Sequence, residues 1–383
     1  MNIINLYEKY FDEDTKEIFE ILSNSDYKLY LVGGLVRDLL LNRKSLDIDI
    51  TVEGNAIEFA KTIPCKILSV HDDFGTVKVE INGKHIDFAS TRTEKYPKAG
   101  HLPQVEKIAC SLKDDILRRD FTVNALAMSL NKETFGDVID YIEGLKDLEN
   151  KTLKVLHDKS FIDDPSRILR GLKYSSRLGF TLDKETKKLQ DKYLSNINYD
   201  MSYSRILNEF NRIEWTPKTF ETLAKQGIYK LINPDIKKDF DFWFTPTENI
   251  VYLGLLMPDK RFELTKRDRQ IIDDVKNYIK FLDSECPQND KNLIPDFEIY
   301  KTFSSMSDEA VQILSIMNNN YAKHYLQNLK NIKIETTGQD LINMGLKPSK
   351  DFKKILDFLI EEKLKKPYLT KTDELDLVSK TFF

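Results

Sequence analysis

The feature that most constrains this chain is a change of hydrophobic period near its middle. Between residues 28 and 140, apolar residues alternate or cluster in short runs bounded by glycine turns, whereas after about Asp158 they recur every three or four positions. Lys28 to Val32 predicts a short buried strand, Gly33-Gly34 a turn, and Leu35 to Leu41 the opening of a helix. Leu46 to Val52 alternates as a second strand, and Ala56 to Ile63 has a helical pattern. Thr76 to Ile81 and Lys84 to Ser90 flank Asn82-Gly83, the signal of a two-residue hairpin. Beyond them helices are expected over Pro165–Leu178, Lys184–Leu194, Ser204–Ile213, Pro217–Gln226, Lys266–Phe281, Asp308–Met317 and Asp351–Leu364. The fold class implied is α+β, with a small mixed sheet and flanking helices first and an all-helical remainder. A chain of 383 residues supports two or three folding units.

Composition excludes several classes. Hydrophobic residues make up 41%, enough for a substantial core, and no apolar run is long enough to cross a bilayer. Met1 to Asp14 lacks the basic start and apolar block of a signal peptide, so a cytoplasmic location is expected. Cys65, Cys110 and Cys286 are far apart and odd in number, which speaks against a disulfide framework or zinc site. The five histidines are scattered and are read as structural or surface residues. Net charge is −4, which argues against an indiscriminate nucleic-acid binder. Yet residues 166–230 carry thirteen Lys or Arg against seven Asp or Glu, a basic stretch inside an acidic chain.

Three segments carry chemistry. Gly33-Gly34, followed by Val36-Arg37-Asp38, joins a strand to a helix; such a turn offers backbone N–H groups to phosphate oxygens, although a double glycine alone is also an ordinary tight turn. Asp47 and Asp49, two apart on the next strand, face the same side. Paired carboxylates repel unless a cation lies between them, and they suit Mg²⁺. Asp87 in His85-Ile86-Asp87-Phe88 is either a third carboxylate for that pair or a solvated strand residue. Arg118-Arg119-Asp120-Phe121-Thr122-Val123-Asn124 offers forked donors for a triphosphate, with Asp120 and Asn124 expected on one helical face. Its plainer reading is a charged helix N-terminus. Asp163-Asp164-Pro165-Ser166-Arg167, continuing to Arg170, is ordinary helix capping or a base reader. An Asp acceptor beside an Arg donor matches the amino group and ring nitrogen of cytosine and adenine, and mismatches uracil and guanine.

Together these segments resemble class II tRNA nucleotidyltransferases, in the nucleotidyltransferase superfamily of DNA polymerase β. The matching stretches are LVGGLVRDLL with LDIDI, RRDFTVNALA, DYIEGLKDL (Asp140 to Leu148), DDPSRILRGLKYSSRLGF and, more weakly, SYSRILNEF (Ser202 to Phe210). They span residues 30 to 210 in the family's order. Gly338-Gln339-Asp340-Leu341 and Gly345-Leu346-Lys347-Pro348 also look like its C-terminal helices.

The resemblance implies a nucleotidyltransferase head over 1–150, a helical neck with a base-templating site over 151–230, and a tRNA-binding body and tail over 231–383. It implies template-independent addition of C, C and A to the 3′ end of tRNA from CTP and ATP, with pyrophosphate release and two Mg²⁺ ions. Asp47 and Asp49 would bind metal; Gly33, Gly34 and Arg37 would hold the triphosphate; Arg119, Asp120 and Asn124 would contact ribose and phosphates. Asp164 and Arg167 would template the base, with Arg170 among the nucleotide-binding residues. The family's base-reading motif usually begins with glutamate, and Asp163 stands there with the charge kept. Arg92 to Ser111 matches the flexible loop needed for the switch from C to A. Asp140, Gly144 and Asp147 match a hinge-like motif between head and neck. An A-adding enzyme, a poly(A) polymerase and a non-catalytic RNA-binding module on the same fold are the alternatives. The basic stretch is expected to meet RNA phosphates with salt-dependent affinity. No membrane partner and no oligomeric state are implied.

Overall fold

A computed structural model of the chain describes residues 1–44, 48–236, 239–285 and 294–383; Asp47 and Cys286 lie outside the described residues. Two compact units result, one made of residues 1–214 with 225–231 and the other of 215–224 with 232–383.

The first unit is built on a sheet whose strands follow from short β-branched and aromatic runs. In chain order the strands are β1 (Leu29–Val32), β2 (Asp49–Val52), β3 (Lys66–His71), β4 (Thr76–Ile81), β5 (Lys84–Ser90), β6 (Arg92–Lys95), β7 (Gln104–Ile108), β8 (Ala127–Ser129) and β9 (Val138–Ile139). Seven of them form one mixed sheet in the order β3-β4-β5-β2-β1-β8-β9. Strand β2 lies parallel to β5 and antiparallel to β1. The Asn82-Gly83 hairpin is present, with Ile81 facing Lys84. Strand β4 alternates as its sequence does, burying Val77, Val79 and Ile81. Phe59 and Phe88 meet edge-to-face behind it at 5.2 Å, and truncating either would cost about 3–5 kcal/mol.

Helices α1 (Ile4–Tyr10), α2 (Glu13–Ser23), α3 (Gly34–Leu40), α4 (Ala56–Ala60), α5 (Leu112–Leu117) and α6 (Gly144–Glu149) flank the sheet. After it come α7 (Ser160–Asp163), α8 (Ser166–Leu178), α9 (Lys184–Ser195) and α10 (Tyr203–Asn211), close to the expected spans. Gly33 sits at φ +68, a conformation side chains resist, and this bend turns β1 into α3.

Two expectations change. Arg118 to Asn124 is not one helical face: α5 ends at Leu117, and Thr122–Asn124 is a single 3₁₀ turn. Phe121 pairs instead with Val155 in an isolated bridge, which straightens the chain between the two. The stretch matched to a flexible loop, Arg92 to Ser111, is not loop throughout: it holds the antiparallel ribbon β6–β7, whose ladder pairs its backbone groups.

The second unit is helical in its described residues, including Asn249–Leu255, Lys266–Glu285, Asp308–Ile316 and Asp351–Lys365. Gly254 lets two of these helices touch, since a Cβ there would collide with Ile313 Cδ1. Among the described residues no helix is long and apolar enough to cross a membrane.

Candidate active site

A cleft of about 550 Å³ in the first unit gathers Gly33, Gly34, Asp49, Arg119, Asp120, Asn124, Asp164, Arg167 and Arg170. A second, of about 700 Å³, shares Gly34, Asp49, Arg170 and Tyr174 with it and adds Arg37 and Asp87. The sequence had scattered these residues over 140 positions, and the fold brings them to adjoining walls.

The sheet supplies the carboxylates. Asp49 opens β2 and Asp87 is its register partner on the parallel strand β5, so their side chains leave the same face. Both are exposed, and Lys78 stands 3.7 Å from Asp87. Asp87 is thus the register neighbour of Asp49. Two carboxylates side by side on exposed backbone are hard oxygen donors of the kind that fit a divalent cation.

Arginines line the next wall. Asp115, fully buried, receives Arg118 Nη2 at 2.7 Å and Arg119 Nη2 at 2.9 Å. Burial alone would raise the Asp115 carboxyl, but Arg119 and Arg118 outweigh it and hold it below its ordinary value. Arg119 Nη1 lies 3.3 Å from where a Gly33 Cβ would stand, so the glycine admits the guanidinium to the turn. Arg119 Nε is buried with no hydrogen-bond partner among the described residues. An unmet charged donor against a glycine turn suits an anionic oxygen.

Behind this wall the polar groups bond one another. Arg37 is 2% exposed; its Nε and Nη2 donate to Asp38 Oδ1, and its Nη1 donates to Asn124 Oδ1 at 2.5 Å. It lines the second cleft, and its Nη1 bond orients Asn124. The α-helical turn expected to join Asp120 and Asn124 is replaced by a direct bond, Asn124 Nδ2 to Asp120 Oδ1 at 3.0 Å. Arg170 Nε donates to Asp120 Oδ2 at 2.7 Å. Burial works to raise the Asp120 carboxyl, but Arg170, Asn124 and Arg167 prevail and hold it at about 2.

The helical end carries the Asp/Arg pair. Asp164 and Arg167 are 5% and 4% exposed, with Arg167 Nε 3.8 Å from Asp164 Oδ2. Asp164 ends α7 in extended backbone, so the two meet across a helix start and not along one helix. Its Oδ1 accepts from Ser166 Oγ at 2.5 Å, and Oδ2 accepts from Arg205. Arg167 donates to Ser160 Oγ at 2.6 Å and to the Arg118 carbonyl at 2.9 Å. The ribbon turn closes over this end: Gly100 N–H donates to the Asp163 carbonyl at 3.0 Å, and Arg205 Nη1 to the His101 carbonyl at 3.0 Å.

Asp140, Gly144 and Asp147 clamp the 3₁₀ turn that carries Asn124. Asp140 accepts from Gly144 and Leu145 N–H, both at 2.9 Å, and Thr122 Oγ1 donates to Asp147 at 2.7 Å. A Cβ on Gly144 would sit 2.5 Å from the Thr122 carbonyl oxygen, which leaves glycine alone able to fit.

Residues 29–154 match the poly A polymerase head domain. An A-adding tRNA nucleotidyltransferase of Geobacter sulfurreducens is 30% identical over 94% of this chain, which spans only 46% of that protein's length and 26% of a similar one from Aquifex aeolicus. A CCA-adding enzyme of Lactobacillus gasseri is 30% identical over 71% of this chain and 73% of its own length. The chain belongs to the class II tRNA nucleotidyltransferases. The Thermotoga maritima CCA-adding enzyme complexed with tRNA shares the fold over 100% of this chain and 99% of its own, with a TM-score of 0.76 at 26% identity.

The sequence alone did not single out Asp115, Tyr174, Arg205 and Glu209, which the fold places at the site. Asp115 stands three and four residues before Arg118 and Arg119, a spacing that pairs charges on a helix end. Tyr174 and Arg170 are four apart on α8, and Arg205 and Glu209 four apart on α10, so each pair shares a face. That these faces meet each other is a tertiary fact with no local signal.

Proposed function

We propose that this chain extends the 3′ end of tRNA with C, C and A from CTP and ATP, releasing pyrophosphate. One observation carries the reading: adjoining clefts place the Asp49–Asp87 carboxylates, the Gly33–Arg119 anion pocket and the Asp164–Arg167 pair around one space. Such a space takes a metal-bound triphosphate at one end and a base at the other.

Asp49 and Asp87, with Asp47, would hold two Mg²⁺ ions, which when bound favour attack by the RNA 3′-hydroxyl and neutralise the departing pyrophosphate. Arg119, whose Nη1 sits against the Gly33 turn at the cleft wall, holds phosphate oxygens. Asp120 and Asn124, fixed by Arg170 and Arg37, present the ribose contact. Asp164 has acceptor capacity beyond Ser166 and Arg205, and Arg167 has N–H groups beyond those that meet Ser160, His157 and the Arg118 carbonyl. Together they accept from the amino group and donate to the ring nitrogen of cytosine or adenine. Uracil and guanine would leave these buried groups facing like against like, which selects against them. Residues 1–150, 151–230 and 231–383 act as head, neck and tRNA-binding body and tail.

A-only addition is the second reading, favoured because the Geobacter and Aquifex relatives are A-adding enzymes. Purified protein with Mg²⁺ should incorporate labelled CTP into tRNA lacking CCA, and ATP into tRNA lacking only the final A. ATP incorporation alone establishes the second reading, and no incorporation of either nucleotide overturns both. Long A tails on unrelated RNA would instead show a poly(A) polymerase.

A further inference from the structure

Tyr174 is the aromatic residue that lines both clefts, and it is buried on α8. Three cations gather on it: the Arg37 guanidinium lies 5.0 Å from the ring centroid, Arg170 5.7 Å and Lys173 Nζ 5.1 Å. Phe121 holds the ring edge-to-face at 6.0 Å. Arg37 and Arg170 are the donors that fix Asn124 and Asp120. Both guanidiniums come from different helices, α3 and α8, and the Tyr174 ring is a surface they share.

We propose that the Tyr174 ring is a positioning element for ribose recognition: its face holds Arg37 and Arg170 so that Asn124 and Asp120 present one fixed pair of groups to the nucleotide sugar. The physical basis is attraction of cations to the ring quadrupole, which strengthens where water is excluded, as it is at buried Arg37 and in part at Arg170 and Lys173. Opposing charge keeps the three cations together: Asp38 neutralises Arg37, Asp120 neutralises Arg170, and Glu209 receives Arg170 and Lys173. The paired N–H bonds to Asp38 and Asp120 set how each guanidinium meets its acid, and the ring adds a flat surface that ties the two guanidiniums to one another. The Tyr174 hydroxyl accepts from Arg170 Nη2 at 3.0 Å, a bond Arg170 can lose while keeping Asp120 and Glu209. The ring, and not the hydroxyl, therefore carries the role.

The inference rests on the ribose reading of Asp120 and Asn124, and the test separates the two. The readout is the preference for ATP over 2′-deoxy-ATP in primer extension, with melting curves to establish that each variant is folded. Tyr174→Phe should keep the preference within about twofold of wild type, and Tyr174→Met, of similar bulk without a ring, should lower it about tenfold. If the methionine variant melts below the assay temperature, Tyr174→Leu takes its place and is held to the same expectation. Loss in the phenylalanine variant equal to that in the ringless one overturns the proposal, as does a folded ringless variant with wild-type preference. Asp120→Asn is the control. If it lowers the preference and Tyr174→Met does not, only this inference fails; if it leaves the preference unchanged, the ribose reading fails and this inference goes with it.

Discussion

The two ends of the active cleft are held in opposite ways. At the sheet end, Asp49 and Asp87 are exposed and are placed by strand register, which backbone hydrogen bonds fix whatever the side chains do. At the helical end, Asp120, Asp164, Arg167 and Arg37 are buried and are placed by one another. Exposed carboxylates on a rigid backbone can exchange water for metal without disturbing the fold. Buried charge pairs cost desolvation but leave each donor in one orientation, which is what discrimination between bases requires. Substitution should therefore separate chemistry from stability at the first end and join them at the second.

The largest effect tests that contrast directly. Asp49→Asn should lower kcat for nucleotide addition by about a thousandfold, since metal chemistry loses a ligand. Its melting temperature should stay near the wild-type value, because Asp49 is exposed and its position is set by strand register. A large fall in melting temperature would erase the contrast. Next in size, Asp164→Asn should reduce the preference for CTP over UTP by about a hundredfold. Unlike Asp49→Asn it should also destabilise, because Arg205 and Arg167 lose a buried counter-charge. Nucleotide competition assays and melting curves on the same preparations check both halves.

The same contrast explains what the sequence showed. The sheet end was legible because a strand has period two: Asp49 followed a glycine turn by a fixed interval, and the Asn82-Gly83 hairpin set the strand that bears Asp87. The helix spans were legible too, from apolar spacing along α8, α9 and α10. What local pattern could not show was which way buried charges turn. The resemblance put Arg37 on phosphate, and no local pattern shows that its guanidinium also bonds Asn124, 87 positions away. Asp120 and Asn124 fit a helical spacing, yet Gly144 presses a 3₁₀ turn between them. Arg205 meets Asp164 across 41 residues, and only the packed fold sets such a contact.

Gly144 offers a third, smaller test, lying outside the cleft but bearing on its helical end. Gly144→Ala would put a methyl 2.5 Å from the Thr122 carbonyl oxygen, too close to persist without backbone movement. A loss of about 3 kcal/mol is expected in urea unfolding. The displaced turn carries Asn124, so nucleotide KM should rise with it, while carboxylate chemistry at saturating nucleotide should change less. An equal fall in kcat would mean that the two ends are mechanically one.

The smallest expected effect concerns pH. Asp120 is held at about 2, below the value of an unfolded aspartate, so the unfolded chain binds a proton that the folded chain refuses as acid is added. Its contribution is complete above about pH 4 and is lost as pH falls toward about 2, on the order of 2 kcal/mol in total. Asp115 is depressed in the same direction and adds to the same limb. Asp120→Asn should therefore be less stable than wild type at pH 7, and its urea midpoint should fall less steeply between pH 5 and pH 2.5, with the slope due to Asp115 remaining. Equal slopes in wild type and Asp120→Asn would show that Arg170 does not hold Asp120 ionised, and the helical end would then lack the buried pairing that sets it apart from the sheet end.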